Sequence, residues 1–156
     1  MALIIRKGRV TVLAGAAATA TLLAGMAAGT AQAAVIGVQQ VPATGIVANS
    51  FGDWRLYTAS IRIDTGSERG EVKLSAPGGA QCSSYGVSSK TVRFDYTNVT
   101  TGKTGSGTVK PCSGTVSSVP TSVVLHPGSG QVIGTINISA EGGPWQIPGG
   151  ATFTVG

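Results

Sequence analysis

The sequence predicts an all-β fold: an antiparallel β-sandwich, Ig-like or jelly-roll-like, with one disulfide. Three observations carry this. Beyond the N-terminal segment no apolar pattern of period 3.6 runs long enough for a helix, whereas alternation with period two recurs. Gly, Pro, Ser and Asn interrupt that alternation at intervals of about ten residues. The chain of 156 residues holds 24 glycines and two cysteines, Cys82 and Cys112.

The N-terminal segment reads as a secretion signal. Arg6, Lys7 and Arg9 form a basic start, an apolar run covers 10–28, and Ala31-Gln32-Ala33 fits the small-x-small rule for cleavage before Ala34. The run is long enough to act as an anchor, but it is rich in Ala and Gly and poor in Leu. No cysteine at the cleavage point offers a lipid attachment site. The Ala-rich style resembles leaders of secreted proteins in high-GC Gram-positive bacteria. The expected organisation is a signal peptide over 1–33 and a single domain over 34–156, secreted and extracellular, with no membrane attachment after cleavage.

Charge narrows the partners. The whole chain carries a formal +5. Removing Arg6, Lys7 and Arg9 leaves eight Lys plus Arg against six acids, a net charge of +2. No basic stripe remains, which argues against nucleic-acid binding. Charged residues make up 11% of the chain, against roughly 25% in typical soluble domains. Its polar surface must therefore consist of Ser, Thr, Gly, Asn and Gln.

Two cysteines behind a secretion signal predict a Cys82–Cys112 bridge. Closing a loop of that length stabilises a fold by roughly 3–4 kcal/mol. There is no Cys-x-x-Cys, and His126 is the single histidine, so no metal site or cofactor is expected.

The elements follow in order. Residues 35–41 predict a first strand stopped by Pro42. Residues 43–52 read as loop, because Ile46-Val47 is too short an apolar pair for a strand. Residues 54–64 predict one long strand with Tyr57, Ala59, Ile61 and Ile63 inward. Thr65-Gly66-Ser67 turns it, and 70–75 return with Val72 and Leu74 inward. A short strand is expected over 82–87. Val92, Phe94 and Tyr96 alternate with Arg93, Asp95 and Thr97 in the clearest half-buried strand. Its hairpin tip lies at 100–103, and 105–110 return to Cys112. Gly102, Gly105 and Gly107 suit positive φ or a bulge. Residues 115–125 predict one or two strands broken at Pro120, and 126–130 a loop. Over 131–140 Val132, Ile136 and Ile138 share a face. A Gly/Pro loop over 141–150 carries Trp145, and Ala151, Phe153 and Val155 form the last strand. The cysteine pair departs from the Ig signature: the two are close in sequence and no tryptophan separates them.

Ile63-Asp64-Thr65-Gly66-Ser67 resembles the Asp-Thr-Gly-Ser/Ala motif of aspartic peptidases, in which two aspartates activate a water. In the retroviral type the second aspartate comes from a second copy, so the resemblance implies a dimeric peptidase with Asp64 as catalytic residue. Gln131-Val132-Ile133-Gly134 resembles the apolar-apolar-Gly segment of that family. Arg62 stands where the family has an apolar residue, Gly70 where it often has Ser or Thr, and no Gly-Arg-Asn/Asp follows Gly134. The other reading is a turn, where Asp, Thr and Gly belong for local reasons.

A Ser-His-Asp triad would have to use His126 with Asp53, Asp64 or Asp95, and no Gly-x-Ser-x-Gly elbow is present. Trp145 is the stronger lead. An indole on a Gly/Pro loop serves as a stacking platform for a sugar, as an anchor for a protein partner, or as a cap folded over the core. Trp54 faces outward by alternation and joins it as a binding candidate. Asn98-Val99-Thr100 and Asn137-Ile138-Ser139 match the glycosylation sequon; neither is expected to be modified in a bacterial context. The expected function is a secreted, non-catalytic binding protein whose partner is an extracellular glycan or a protein. The alternatives are the peptidase and a secreted protease inhibitor with a rigid loop held by the disulfide.

Overall fold

The computed structural model describes residues 33–48, 53–78, 82, 90–113, 118–139 and 145–156, all within the compact unit Ala31–Gly156. Residues 1–32 of the expected signal peptide, the expected strand after Cys82 and part of the segment before Pro120 lie outside the described residues.

Among the described residues the chain forms twelve strands and no α-helix. They are β1 (Val35–Ile36), β2 (Gln39–Val41), β3 (Ala43–Ala48), β4 (Trp54–Ala59), β5 (Arg62–Thr65), β6 (Val72–Ser75), β7 (Thr91–Asn98), β8 (Thr104–Val109), β9 (Ser122–Leu125), β10 (Gly130–Ser139), β11 (Trp145–Ile147) and β12 (Gly149–Val155). Three antiparallel sheets result, ordered β1-β5-β6-β9, β2-β12-β10-β7-β8 and β11-β3-β4. The predicted all-β, antiparallel sandwich with one disulfide is the observed fold.

The core lies between the first two sheets. Ile63, Val72, Leu74 and Leu125 of the first meet Val92, Phe94, Val109, Val132, Ile136 and Phe153 of the second. The third sheet adds Ala43, Tyr57 and Ala59. The inward sets predicted on β7, β10, β12 and across 57–63 are all buried, because each strand alternates a β-branched or aromatic residue with a polar one.

Two predicted strands divide, each because the chain changes partner. The segment 54–64 is two strands, not one. They keep a common inward face, but β4 pairs with β3 and β5 with β6. At the break the Gln40 carboxamide serves Ile61 on both sides: Nε2 donates to the Ile61 carbonyl at 2.9 Å, and Ile61 N–H donates to Oε1 at 2.9 Å. The segment 35–41 also divides: β1 joins β5 and β2 joins β12.

Residues 43–48, read as loop, form β3 at the centre of the third sheet, and the Trp145 loop contains β11. Both corrections have one cause. The pairs Val41↔Gly150 and Thr44↔Ile147 belong to one continuous antiparallel register. Pro42 and Pro148 interrupt it, since proline has no N–H to give the ladder. Gly149 sits in the bend, where a Cβ would lie 2.4 Å from the Ala43 nitrogen and from the Val41 carbonyl oxygen. The two sides of the ribbon exchange roles there. Gln39 and Val41 are exposed, whereas Ala43 and Gly45 on the same side further along are buried.

Of the glycines expected at positive φ, Gly102 has it, at 76° in the β7–β8 turn. Gly105 and Gly107 do not; they are needed for space. A Cβ on Gly105 would lie 2.4 Å from the Tyr96 hydroxyl, and one on Gly107 would lie 2.8 Å from Leu125.

Cys82 and Cys112 are bonded, with Cα atoms 5.4 Å apart. The bridge ties the end of β8 to the segment preceding β7, so it clamps the central hairpin as predicted. It is compatible with an extracellular location. No helix among the described residues is long and apolar enough to cross a membrane.

Candidate functional site: an exposed tryptophan face

The third sheet places the two predicted binding residues on one surface. Trp145 of β11 lies opposite Ile46 of β3, and Ile46 lies opposite Leu56 of β4. Residues paired across an antiparallel ladder project to the same side, as do residues two apart on one strand. Ile147, Thr44 and Thr58 therefore form a second row beside the first, and Trp54 stands two residues from Leu56. The Cα atoms of the two tryptophans are separated by two strand spacings and one pleat repeat, about 12 Å.

This surface is outward and apolar. Trp145 is 80% exposed, Ile147 75%, Leu56 72%, Trp54 63% and Ile46 44%. Trp145 thus does not cap the core. Scattered exposed apolar residues are ordinary, whereas these five form one contiguous group on a single sheet face. Asp53 and Arg55 are also exposed, but alternation puts them on the other side of the sheet.

The opposite side of the sheet anchors it. Tyr57 and Ala59 lie in the core, and the Lys90 ammonium stands 5.7 Å from the Tyr57 ring centroid, within cation–π range. Burial pushes the Tyr57 phenol up to about 12 and lowers Lys90 below its ordinary value. At the β11 edge the Ile138 N–H donates to Gln146 Oε1 at 2.6 Å. This contact fixes Trp145 and Ile147 on the far side of the strand. Gly45 allows β11 close approach: a Cβ there would lie 3.0 Å from the Trp145 carbonyl oxygen.

Asp64 lies elsewhere, on the outer side of β5 opposite Val35. Arg62 Nε reaches both of its carboxylate oxygens, at 3.1 and 3.2 Å, and Nη2 donates to Oδ1 at 3.0 Å. That hydrogen bond, with the charge behind it, raises the Arg62 guanidinium above its usual value. The turn after Thr65 is held by Glu71, whose Oε2 accepts from Ser67 Oγ and from the Glu68 N–H at 3.1 Å each. Arg62, a departure from the peptidase pattern, is thus the direct partner of Asp64.

His126 contacts Glu71 rather than an aspartate, with Nδ1 3.1 Å from Oε1. Its backbone N–H donates to the Tyr96 phenol, whose pKa is raised by burial and lowered again in part by this bond. Asn98 of the first sequon is wholly buried, and Asn137 of the second is half-buried on β10.

Sequence reasoning missed Ile46, Leu56 and Ile147 as members of the face. The signal for Leu56 was present, because alternation puts it outward with Trp54. Ile46 and Ile147 depend on the β3–β11 pairing, which no local pattern announces. No protein-family model, curated protein or solved structure matches the chain.

Proposed function

We propose that this chain is a secreted, non-catalytic extracellular binding protein that docks a protein partner through the face of β11, β3 and β4. One observation carries the reading: Trp54 and Trp145 stand on a single sheet face with Leu56, Ile46 and Ile147, all exposed. Tryptophan anchors embedded in apolar surface are the common centre of protein interfaces. A sugar also needs hydrogen-bonding groups beside the ring it stacks on, and this face offers two threonines, Thr44 and Thr58. Secretion is supported by the basic start, the apolar run and the Ala31-Gln32-Ala33 site, and by the disulfide.

The test is co-sedimentation with purified cell wall and insoluble polysaccharides, run beside affinity capture from intact cell surfaces. Trp145→Ala and Leu56→Ser are the paired controls. Capture of one protein that both variants lose supports the proposal, provided that any sedimentation on pure polysaccharide persists in Trp145→Ala. A captured protease would make the chain an inhibitor. Sedimentation on pure polysaccharide that Trp145→Ala abolishes would make the face a glycan platform and overturn the protein reading. Self-association lost in either variant would identify the partner as a second copy. Mass of the secreted chain tests the cleavage before Ala34.

A further inference from the structure

The outer side of the second sheet forms a trough of about 1080 Å³ that the tryptophan face does not share. Small-molecule sites run to roughly 1,000 Å³, so the trough can hold an oligomeric ligand.

Its surface is built from outward positions of all five strands. One row runs Thr97, Ile133, Thr152, Gln39 across β7, β10, β12 and β2. The next runs Asp95, Thr135, Gly150, Val41. The edge strands β2 and β8 supply its sides. Hydroxyls dominate the polar groups, with Thr104 and Ser106 of β8 added to the threonines above.

Three features define what such a surface recognises. The first is neutrality. The charged residues lining it are Arg93 and Asp95, and they are bonded to each other, with Nη2 2.7 Å from Oδ1 and Nε 2.9 Å from the same oxygen. A charged ligand finds no uncompensated countercharge. The second is an apolar centre: Ile133, 47% exposed, stands between Thr97 and Thr152. The third is the open floor at Gly150, which has no side chain beside Thr135.

A hydroxyl-rich, neutral surface around one aliphatic residue is complementary to a ligand that is itself neutral, hydroxyl-rich and apolar on its C–H faces. We propose that the trough binds a neutral oligosaccharide chain, separately from the protein partner of the tryptophan face. The hydroxyls of Thr97, Thr104, Ser106 and Thr135 donate to and accept from the sugar hydroxyls, whereas the Thr152 hydroxyl donates to the Val132 carbonyl and shapes the floor; the C–H face of one ring rests on Ile133. With both sites filled, the molecule links a glycan to a protein.

Gly150 supplies a clean test. A Cβ there meets nothing closer than the Gly134 carbonyl oxygen at 3.8 Å, and its φ lies outside the left-handed region. Gly150→Leu therefore fills the trough without straining the strand. Thr135→Phe, at the neighbouring exposed position, is the second variant. The protein lacking residues 1–33 would be titrated with cellohexaose, chitohexaose and maltohexaose, with a hexamer of galacturonic acid and a neutral Ser/Gly hexapeptide as contrasts. Amide shifts would be followed by NMR.

The expected result is saturable shifts at Thr97, Ile133, Thr135 and Thr152 with at least one neutral hexasaccharide. Gly150→Leu or Thr135→Phe should weaken binding by about tenfold or more, and Trp145→Ala should leave it unchanged. Each variant is checked by thermal melt, and only one that still folds is scored. No shifts with any neutral sugar would overturn the proposal, as would shifts elsewhere on the surface or stronger binding of the acidic hexamer or the peptide. Loss in Trp145→Ala alone would place the sugar on the other face.

Discussion

The Asn98 amide nitrogen, wholly excluded from solvent, donates to the Pro127 carbonyl at 3.0 Å. It also lies within bonding distance of the Gly128 and Ser129 carbonyls, at 3.2 and 3.1 Å. Its oxygen accepts from the N–H groups of Thr100 and Thr101. One side chain thereby joins the β7–β8 turn to the loop before β10. Gly128, at φ 79°, completes the junction by donating its N–H to the Gly70 carbonyl.

Asn98→Ala should cost about 2–4 kcal/mol, since buried carbonyls and N–H groups lose their partner together. Asn98→Asp should cost at least as much, because a carboxylate would face the three carbonyls the amide now serves. Denaturant unfolding measures both. Expression in a glycosylating host provides a second readout: the folded fraction should carry no glycan at Asn98, because a chain modified there cannot bury and bond that side chain.

The aromatic core predicts a contrast among glycines. A Cβ on Gly134 would lie 2.6 Å from the Phe94 ring, and one on Gly105 2.4 Å from the Tyr96 hydroxyl. Phe94 and Tyr96 cannot retreat together, since Phe94 also packs on Phe153 with centroids 6.1 Å apart. Gly134→Ala and Gly105→Ala should each destabilise by about 1–3 kcal/mol, the usual cost of overpacking. Gly150→Ala should be neutral or slightly stabilising, because its Cβ has room and the unfolded chain loses freedom. Melting temperatures of the three variants test the ordering.

Gln40 fills the gap where β4 gives way to β5. Gln40→Leu removes both hydrogen bonds to Ile61 and should cost about 1–3 kcal/mol. Gln40→Glu keeps an acceptor for the Ile61 N–H but loses the donor for its carbonyl. Amide exchange at Ile61 should accelerate strongly in the first variant and less in the second.

These contacts mark the limit of what the sequence discloses. The inward residues of β7, β10 and β12 were legible, because alternation is local and their neighbours are Thr, Arg, Asp and Asn. The common face of Tyr57, Ala59, Ile61 and Ile63 was legible for the same reason. The break at Ser60 and Ile61 was not, because it is held by a glutamine twenty-one residues before Ile61. β3 was not, because Ala43-Thr44-Gly45-Ile46 has too little apolar bulk to announce a strand, and its partner β11 lies about a hundred residues on, across a register that Pro42 and Pro148 interrupt. Trp54 and Trp145 could be named singly, but their convergence depends on β3 lying between them.

Exposure gives the tryptophan face a distinct signature. Trp145→Ala and Trp54→Ala should change folding stability by no more than about 0.5 kcal/mol, as for other exposed sites. They should nonetheless remove partner capture. Asp64→Asn should leave capture intact, since Asp64 lies on β5 and is held by Arg62. Its own effect on stability should be small, because Arg62 is 54% exposed and such pairs contribute little. Loss of capture in Asp64→Asn, with Trp145→Ala unaffected, would move the function to the Asp64 turn.

Alkaline pH should loosen the third sheet through Tyr57. Its phenol ionises near 10 in the unfolded chain and near 12 in the folded one. Between those values the folded state holds a proton that the unfolded state has released, so stability falls as pH rises from about 10 and levels off near 12. The loss from this residue is at most about 2–3 kcal/mol. Lys90 acts in the opposite sense. Its lowered pKa means the folded state releases its proton first, so rising pH relieves a cost up to about 10.5, the value for a free lysine. Tyr57→Phe should flatten the decline above pH 10, and Lys90→Met should remove the opposing gain and make it begin earlier. Unfolding midpoints from pH 8 to 12 separate the two, and an unchanged alkaline slope in Tyr57→Phe would show that the phenol is not the group that titrates.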